Sequence, residues 1–384
     1  MTRIFAAALS LFFFISSPFW AQGFDTSARV AMIVDQTTGA VLLAKNADTP
    51  VPPASMSKLM TLNMLFEALR EGRVTMETEF LVSEKANAIG GSTMFLRAGE
   101  RVSVGNLIQG IIVQSGNDAC IAVAENLSGT EEAFAVQMTE RAKSLGMVNS
   151  TFANSTGWPH PAQRMSARDL VFLANRLITE FPEYYGYFAQ DTFTWDGVTQ
   201  ENRNPLLGLG IGADGLKTGH TNEAGYGLVG SVKQGDRRVI FMISGLESQQ
   251  GRAREAEKIA NWAFRQFTMK PLYEKDVQIA EANVWLGATD TVPLVSATDI
   301  TTMVALGKGE DVQAKISYTG PIEAPIAAGT ELATLTISSP GLDDRAFPLV
   351  AGANVEKGGL ITRVKASAEI LAAQLMGYIR PAEG

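Results

Sequence analysis

A serine and a lysine stand at positions i and i+3 at the start of an apolar run, in the segment PPASMSKLMT at 52–61. On a helix, Ser55 and Lys58 would share one face. A serine hydroxyl is a weak nucleophile until an adjacent base takes its proton, and a buried lysine can have its pKa lowered enough to be that base. The pair therefore predicts either a nucleophile beside its base or a helix N-cap followed by a solvated lysine.

Two further short motifs could supply the rest of such a site. Ser115-Gly116-Asn117 falls at a break between helical runs, where a turn can aim both polar side chains into a cleft. Lys217-Thr218-Gly219 lies on a strand-like stretch, where the glycine would let a bound substrate approach the backbone closely. A lone Ser-x-x-Lys occurs by chance in a chain of this composition, but all three motifs in this order are rare by accident.

The composition excludes several other kinds of site. The net charge is −8 and no basic cluster occurs, which argues against a nucleic-acid partner. The single cysteine, Cys120, excludes an intrachain disulfide and is expected to be a small buried residue. Two histidines, His160 and His220, are too few for a His-rich metal site. We therefore expect neither a metal nor an organic cofactor.

The elements that must position these residues follow from apolar periodicity. The predicted elements are a β-hairpin at 29–46, a helix from Ser55 to about Arg70, mostly helix over 103–180 with breaks at 115–118 and 154–165, strands from Gly212 with a turn at 234–236, and an amphipathic helix at 251–267. Strands at both ends with helices between them indicate an α/β (α+β) domain over 24–268. Its expected architecture is one antiparallel sheet faced by helices.

The two ends of the chain differ from its middle in their sequence patterns. Arg3 and the apolar stretch at 4–17 are typical of a secretory signal peptide, assigned to 1–21, which predicts export. Residues 269–363 carry short Val/Thr/Ile-rich runs between turn residues, which predicts a small all-β domain. The segment 364–384 can form an amphipathic helix that either lies on a membrane surface or packs on the β domain.

Together the three motifs resemble the set shared by penicillin-binding proteins and serine β-lactamases. The longer forms ASMSKLMT, SGNDAC and DGLKTGHT resemble the serine-type D-alanyl-D-alanine carboxypeptidases, the low-molecular-mass proteins of the penicillin-binding protein 5 kind. The resemblance spans nearly the whole mature chain. It implies an enzyme that removes the terminal D-alanine from peptidoglycan stem pentapeptides and is acylated by β-lactams. It also implies a periplasmic location, with the C-terminal segment on the outer face of the inner membrane.

The resemblance gives the catalytic candidates their roles. Ser55 would attack the carbonyl between the last two D-alanines and form an acyl-enzyme, with Lys58 as the general base. Ser115 and Lys217 would relay the proton to the leaving amine and help to activate the deacylating water. Asp118 is expected to cap the helix that follows the second motif.

The same resemblance assigns a substrate-binding set, which consists of Asn117, Thr218, Gly219, His220 and Arg252. Asn117 would contact a substrate amide, while Thr218 and Arg252 would hold the terminal carboxylate. The backbone N–H groups of Ser55 and His220 would form the oxyanion hole.

Three other functions remain open from the residues. A D,D-endopeptidase that cuts peptidoglycan cross-links would use the same machinery. A β-lactamase of the commonest class deacylates with a water held by a glutamate, but residues 141–179 contain no Glu and the second motif has Gly in place of Asp. A wall-binding or β-lactam-sensing module with a dead site would keep the fold without turnover.

Overall fold

The computed structural model describes residues 24–360 and Val364. The predicted signal peptide at 1–21 and, apart from Val364, the predicted amphipathic segment at 364–384 lie outside the described residues. Within the described part of the chain, no helix combines the length and the apolar content that spanning a membrane requires.

Helices and strands alternate in blocks along the chain. The helices are α1 (Lys58–Arg70), α2 (Glu84–Ala88), α3 (Val104–Gln109), α4 (Asn117–Ser128), α5 (Glu131–Ser144), α6 (Ala167–Glu180), α7 (Pro182–Tyr185) and α8 (Gln249–Gln266). The strands are β1 (Val30–Asp35), β2 (Ala40–Lys45), β3 (Glu79–Leu81), β4 (Arg101–Ser103), β5 (Thr192–Trp195), β6 (Val198–Glu201), β7 (Ala213–Thr221), β8 (Gly225–Gln234), β9 (Arg237–Leu246), β10 (Phe267–Tyr273), β11 (Gln278–Trp285), β12 (Thr291–Val295), β13 (Ile300–Ala305), β14 (Gln313–Ser317), β15 (Ile322–Glu323), β16 (Glu331–Ser338) and β17 (Arg345–Ala351).

The central sheet joins the two ends of the segment 24–268. Its five antiparallel strands run in the order β2-β1-β9-β8-β7. The N-terminal hairpin therefore pairs with a strand that lies some two hundred residues later, with Ile33 opposite Phe241. This confirms the predicted sheet built from both ends and faced by helices. The strand that carries the Lys-Thr-Gly motif, β7, lies at one edge of the sheet.

Both faces of this sheet are covered, because successive side chains of a strand point to opposite faces. Met32 and Met242 belong to the core that the sheet shares with α1, α4 and α6. Ile33 and Phe241, one residue along each strand, belong to the layer that α8 covers on the other face, where they meet Ile259. The strands therefore read as continuous apolar runs rather than as alternating ones.

Helix α1 is almost entirely buried. Leu59, Leu62, Leu65 and Phe66 are all fully buried. A helix that is apolar on almost every side belongs inside a core rather than on its surface. This position explains why Lys58, the first residue of α1, has no exposed surface.

Beyond α8, the described chain consists of strands from Phe267 to Ala351 with one short 3₁₀ turn at Gly309–Asp311, as predicted for a small all-β domain. A six-stranded sheet in the order β14-β16-β17-β12-β11-β15 lies beside the two-stranded pair of β10 and β13. Leu294, Leu335 and Leu349 are fully buried in its core. The change of character falls at Phe267, where β10 follows α8 directly, while the division into domains at 268 and 269 stays a prediction.

A buried ion pair joins the two regions. Asp35, at the end of β1, is fully buried, and its carboxylate accepts from Nε of Arg237 at 2.6 Å. The same guanidinium donates to the carbonyl oxygens of Ala263 and Phe267, which lie at the end of α8 and the start of β10. One side chain therefore ties β1, β9, α8 and β10 together.

Removing one partner of this pair should destabilise the protein strongly. Arg237→Ala leaves the Asp35 carboxylate buried without its counter-ion, so we expect the free energy of unfolding to fall by about 3–5 kcal/mol in urea denaturation. The matched control is Arg168→Ala, because Arg168 and Asp48 form a pair with side chains 45% and 58% exposed. An exposed pair contributes about 0–1 kcal/mol. Equal losses of unfolding free energy in the two variants would contradict this role of the Asp35–Arg237 pair.

Candidate active site

The candidate nucleophile lies on a short turn. Ser55 is part of a 3₁₀ helix over Ala54–Ser57, which leads directly into α1. The predicted helix over 55–70 is confirmed, with its α-helical part beginning at Lys58. Ala54 has a φ of 50°, a conformation that non-glycine residues seldom adopt. Strain of this kind persists only where the surrounding structure determines the backbone.

Two glycines fix the Ser55 turn from outside. Gly157 has a φ of 84°, and a Cβ there would collide with the carbonyl of Ala54. A Cβ on Gly219 would lie 2.9 Å from the carbonyl oxygen of Pro53. The structure thus gives a reason for glycine at 219 in addition to the expected approach of a substrate, which is the close approach of β7 to the turn that carries Ser55. Gly219 also lines the cleft beside Ser55.

Lys58 is positioned as a base for Ser55. Its Nζ lies 2.9 Å from the Ser55 Oγ, 2.7 Å from the Asn117 Oδ1 and 2.6 Å from the Thr156 carbonyl oxygen. Burial lowers the pKa of Lys58 from 10.5 to about 8, because charging an amine away from water is costly. The neutral amine is therefore far more accessible near neutral pH than for a solvated lysine.

Lys217 and Ser115 form a second amine–hydroxyl pair. The Lys217 Nζ lies 2.8 Å from the Ser115 Oγ. Burial lowers the pKa of Lys217 well below its ordinary value, and the neighbouring charges of Lys58 and Arg203 lower it further. Neither lysine is solvated, so the alternative of a solvated lysine after Ser55 fails.

The backbone at Ser115 is unusual. A π-helical turn at Gly110–Gln114 ends there, and Ser115 itself is left-handed with a φ of 61°. Such π turns are frequent at functional sites. Gly110 leaves a notch that the Met94 side chain fills, since a Cβ at 110 would overlap it. The loop around Met94 therefore packs directly under the turn that presents Ser115.

Asp118 holds that loop rather than simply capping its own helix. Its carboxylate accepts from the N–H of Met94 at 2.9 Å and of Leu96 at 3.1 Å, as well as from Ala119 at 2.9 Å. The first two bonds cross to the loop, so the expected local cap was an incomplete account. Sequence gives no signal for a partner more than twenty residues away.

Asn117 links the two halves of the site. Its Oδ1 accepts from Lys58, and its Nδ2 donates to the Gly90 carbonyl at 2.9 Å. An amide NH₂ has two donors, so one remains for a ligand. Its backbone N–H donates to the Ser92 carbonyl at 2.7 Å, which places Ser92 at the mouth of the site.

A cleft of about 480 Å³ opens beside Ser55. The predicted site residues that line it are Ser55, Ser115, Thr218, Gly219, His220 and Arg252, whereas the two lysines and Asn117 do not line it. Four further residues that the sequence analysis did not predict also line it: Ser92, Arg203, Tyr226 and Gln249. No acidic side chain is among the described residues that line it. The cleft therefore suits an anionic group.

Arg252 and Arg203 give the cleft its positive charge. Arg252 is only 4% exposed, and its Nη2 donates to the Arg203 carbonyl at 3.4 Å. Its Nε is buried and has no partner among the described residues. Burial lowers the pKa of both guanidinium groups. A ligand carboxylate is the acceptor that this arrangement lacks.

His220 lies at the rim, with its side chain exposed. Its imidazole stacks on the Tyr226 ring with the centroids 3.9 Å apart. These residues face each other across the β7–β8 hairpin. The turn at 222–224 could have revealed this pairing from sequence, whereas Arg203 lies in a loop that carries no motif.

Cys120 is fully buried, as expected, and burial raises the pKa of its thiol to about 12. In the described part of the chain, no three His, Cys, Asp or Glu side chains are grouped so that they could hold a metal ion.

The chain matches known proteins over most of its length. A family model described as D-alanyl-D-alanine carboxypeptidase matches residues 17–247, and one described as penicillin-binding protein 5, C-terminal domain, matches 267–357. The chain is 35% identical to D-alanyl-D-alanine carboxypeptidase DacC of Escherichia coli over 371 residues, which are 94% of this chain and 93% of that protein.

Solved structures of penicillin-binding proteins are similar to this fold. Penicillin-binding protein 5 from Haemophilus influenzae has a TM-score of 0.79 at 32% identity and covers 87% of this chain and 98% of its own. The ampicillin-bound form of penicillin-binding protein D2 from Listeria monocytogenes has a TM-score of 0.57 at 30% identity, with coverages of 62% and 98%.

The lowered pKa of Lys58 should make stability depend on pH. The folded state releases this proton at about 8 and the unfolded state at 10.5, so the unfolded state holds more protons between these values. Stability should therefore rise as the pH increases through that window, by up to about 3 kcal/mol for this group.

Lys58→Met should reduce that rise to the part that buried Lys217, whose pKa is also lowered, still contributes, measured as the free energy of unfolding at pH 7.5 and pH 10. The control is Lys85→Met, because Lys85 is a partly exposed lysine whose pKa its Glu131 and Glu132 partners help to raise. A rise of equal size in Lys58→Met and Lys85→Met would refute the lowered pKa of Lys58.

Proposed function

Because this chain belongs to the D-alanyl-D-alanine carboxypeptidase family, we propose that Ser55 is the nucleophile with which it removes the terminal D-alanine of peptidoglycan stem pentapeptides. The observation that carries this assignment is the contact of the buried Lys58 Nζ with both the Ser55 Oγ and the Asn117 Oδ1. It joins a nucleophile, a base and a ligand-facing amide in one hydrogen-bonded group.

In the acylation step, neutral Lys58 takes the Ser55 hydroxyl proton while Oγ attacks the carbonyl carbon between the two D-alanines. The carbonyl oxygen gains negative charge as its carbon becomes tetrahedral. The backbone N–H groups of Ser55 and His220 stabilise this charge. His220 lies on the edge strand β7, where backbone groups can meet a substrate.

Collapse of this intermediate needs a proton on the leaving amine. Lys217 and Ser115, 2.8 Å apart, form the relay that delivers it. The terminal D-alanine leaves as a free amino acid, and its place is taken by water. The same relay then assists the water that hydrolyses the acyl-enzyme and returns the Ser55 proton.

The terminal carboxylate binds at the arginine-rich end of the cleft. Arg252 offers its guanidinium group, Thr218 offers its hydroxyl, and Arg203 adds positive charge. A free D-alanine carboxylate is what distinguishes a pentapeptide end from an internal peptide bond.

The β-lactamase alternative is not favoured. Such an enzyme of the commonest class needs a carboxylate to activate the deacylating water, and among the described residues no Asp or Glu lines either cavity that contains Ser55. β-Lactams are proposed to form an acyl-enzyme on Ser55 that hydrolyses slowly. Export to the periplasm, from the apolar N-terminal stretch, completes the proposal.

Ser55→Ala should abolish both D-alanine release from a pentapeptide and covalent labelling by a fluorescent penicillin, because one nucleophile serves both reactions. Mass spectrometry of the labelled wild-type protein should place the adduct on the peptide that contains Ser55. Ser57→Ala is the control, since its hydroxyl donates to the Ala54 carbonyl and should leave labelling in place. An adduct on another residue would overturn the assignment.

Assay of a cross-linked dimer beside the pentapeptide separates carboxypeptidase from endopeptidase activity.

Arg252→Ala and Lys217→Ala should affect different kinetic constants. Arg252 pairs with a carboxylate already present in the ground state, so its loss should raise KM by about 10- to 100-fold with kcat little changed. Lys217→Ala should lower kcat by at least about 100-fold, because it removes proton transfer. Steady-state kinetics on the pentapeptide distinguish them, and equal falls in kcat would contradict this division of roles.

A further inference from the structure

A second cavity adjoins Ser55 on the side away from Arg252. It has a volume of about 310 Å³ and shares Ser55, Ser92 and His220 with the first cleft. No Asp, Glu, Lys or Arg is among the described residues that line it. The two cavities therefore differ in chemistry, one being cationic and the other neutral with one large aromatic side chain, Trp158.

The orientation of the substrate in the cleft decides which part of the peptide enters the second cavity. This step rests on the proposed function. The carboxylate of the leaving D-alanine lies toward Arg252 and the scissile carbonyl lies at Ser55. The acyl side of the substrate must then leave Ser55 in the opposite direction, into the second cavity. At about 3.3 Å per extended residue, the acyl D-alanine and the residue before it fall within this cavity.

Trp158 is held firmly at the wall of the second cavity. The loop that carries it is closed by Asn154, whose Oδ1 accepts from the N–H groups of Gly157 at 2.8 Å and Trp158 at 3.0 Å. The Trp158 carbonyl accepts from the Asn154 Nδ2 at 3.0 Å. On its other side the six-membered ring packs over Gly91, where a Cβ would lie 3.0 Å from it.

The indole nevertheless keeps a free surface. Trp158 is 47% exposed. Much of its apolar surface is therefore still in contact with water, and covering that surface with a ligand would be favourable. An indole face offers two attractions to a ligand: apolar contact with an aliphatic chain, and cation–π attraction to an ammonium group. The second cavity offers no carboxylate that would compete for such an ammonium.

We propose that Trp158 is a specificity-determining residue that contacts the side chain of the residue preceding the D-alanyl-D-alanine pair. The side chain that it favours is a long aliphatic stem that ends in an amine, as in a diamino acid at the third position of the stem. Trp158 acts on substrate binding through this side chain and takes no part in the proton transfers at Ser55.

Three substrates of increasing reach test this proposal: N-acetyl-D-Ala-D-Ala, N-acetyl-L-Ala-D-Ala-D-Ala and N-acetyl-L-Lys-D-Ala-D-Ala. The wild-type enzyme should have a kcat/KM for the lysyl peptide about tenfold above that for the alanyl peptide, from about 1–2 kcal/mol of stacking and cation–π contact. Trp158→Ala should remove this preference while changing kcat/KM for N-acetyl-D-Ala-D-Ala by less than about twofold. Trp158→Phe, which keeps an aromatic face, should retain part of the preference.

The matched control is Phe95→Ala. Phe95 lies between Met94 and Leu96 on the loop that Asp118 holds. Its aromatic side chain is 63% exposed and lines neither cavity. It should leave the lysyl preference intact. Penicillin labelling counts the active sites of each variant, so a misfolded variant is recognised, and Trp158→Phe then decides the outcome.

Two other results would overturn the proposal. Equal losses on all three substrates would mean that Trp158 only supports the loop whose Thr156 carbonyl contacts Lys58. An unchanged preference in Trp158→Ala would mean that the third residue does not reach the indole. Failure of the wild-type enzyme to release D-alanine from any of the three peptides would instead refute the proposed function.

Discussion

The burial of two ammonium groups is the constraint on which this active site depends. An amine inside a protein loses its hydration, and it remains there only if oxygen atoms replace the lost water. Lys58 obtains these oxygens from Ser55, Asn117 and Thr156, and Lys217 obtains them from Ser115 and from the Thr218 carbonyl. These acceptors come from different segments, so the needs of the two amines determine how the nucleophile turn, α4 and the loop before α6 must meet.

The tight packing of the site follows from the same need. Water would restore the ordinary pKa of a lysine, so the segments around Lys58 must approach one another without gaps. Gly157 and Gly219 permit this, since a side chain at either position would push the Ser55 turn away. The strained backbone at Ala54 and Ser115 is held by its surroundings in the same way. Asp118 completes the arrangement by fixing the loop that fills the notch at Gly110.

Local patterns in the sequence predict most of the architecture, while contacts between distant segments are beyond them. The hairpin at 29–46, α1, the strands after Gly212 and the all-β region follow from periodicity and turn residues. The three motifs identify Ser55, Lys58, Ser115 and Lys217 because their spacing has a chemical meaning. Arg203 and Trp158 lie in loops without such spacing, so only the fold brings them to the cleft. The loop partners of Asp118 and the closeness of Gly219 to the Ser55 turn were missed for the same reason.

The wide separation of the reactive groups along the chain has a consequence for how this protein can be observed. Ser55, Asn117, Thr156, Lys217 and Arg252 come from five segments, and the sheet that carries Lys217 includes the N-terminal hairpin through the pairing of β1 with β9. The N-terminal part of the chain carries Ser55, Lys58 and Ser115 but neither Lys217 nor Arg252. Covalent capture of Ser55 would therefore count fully assembled molecules, so that the speed at which a refolding sample gains the label would report the last step of assembly rather than the first.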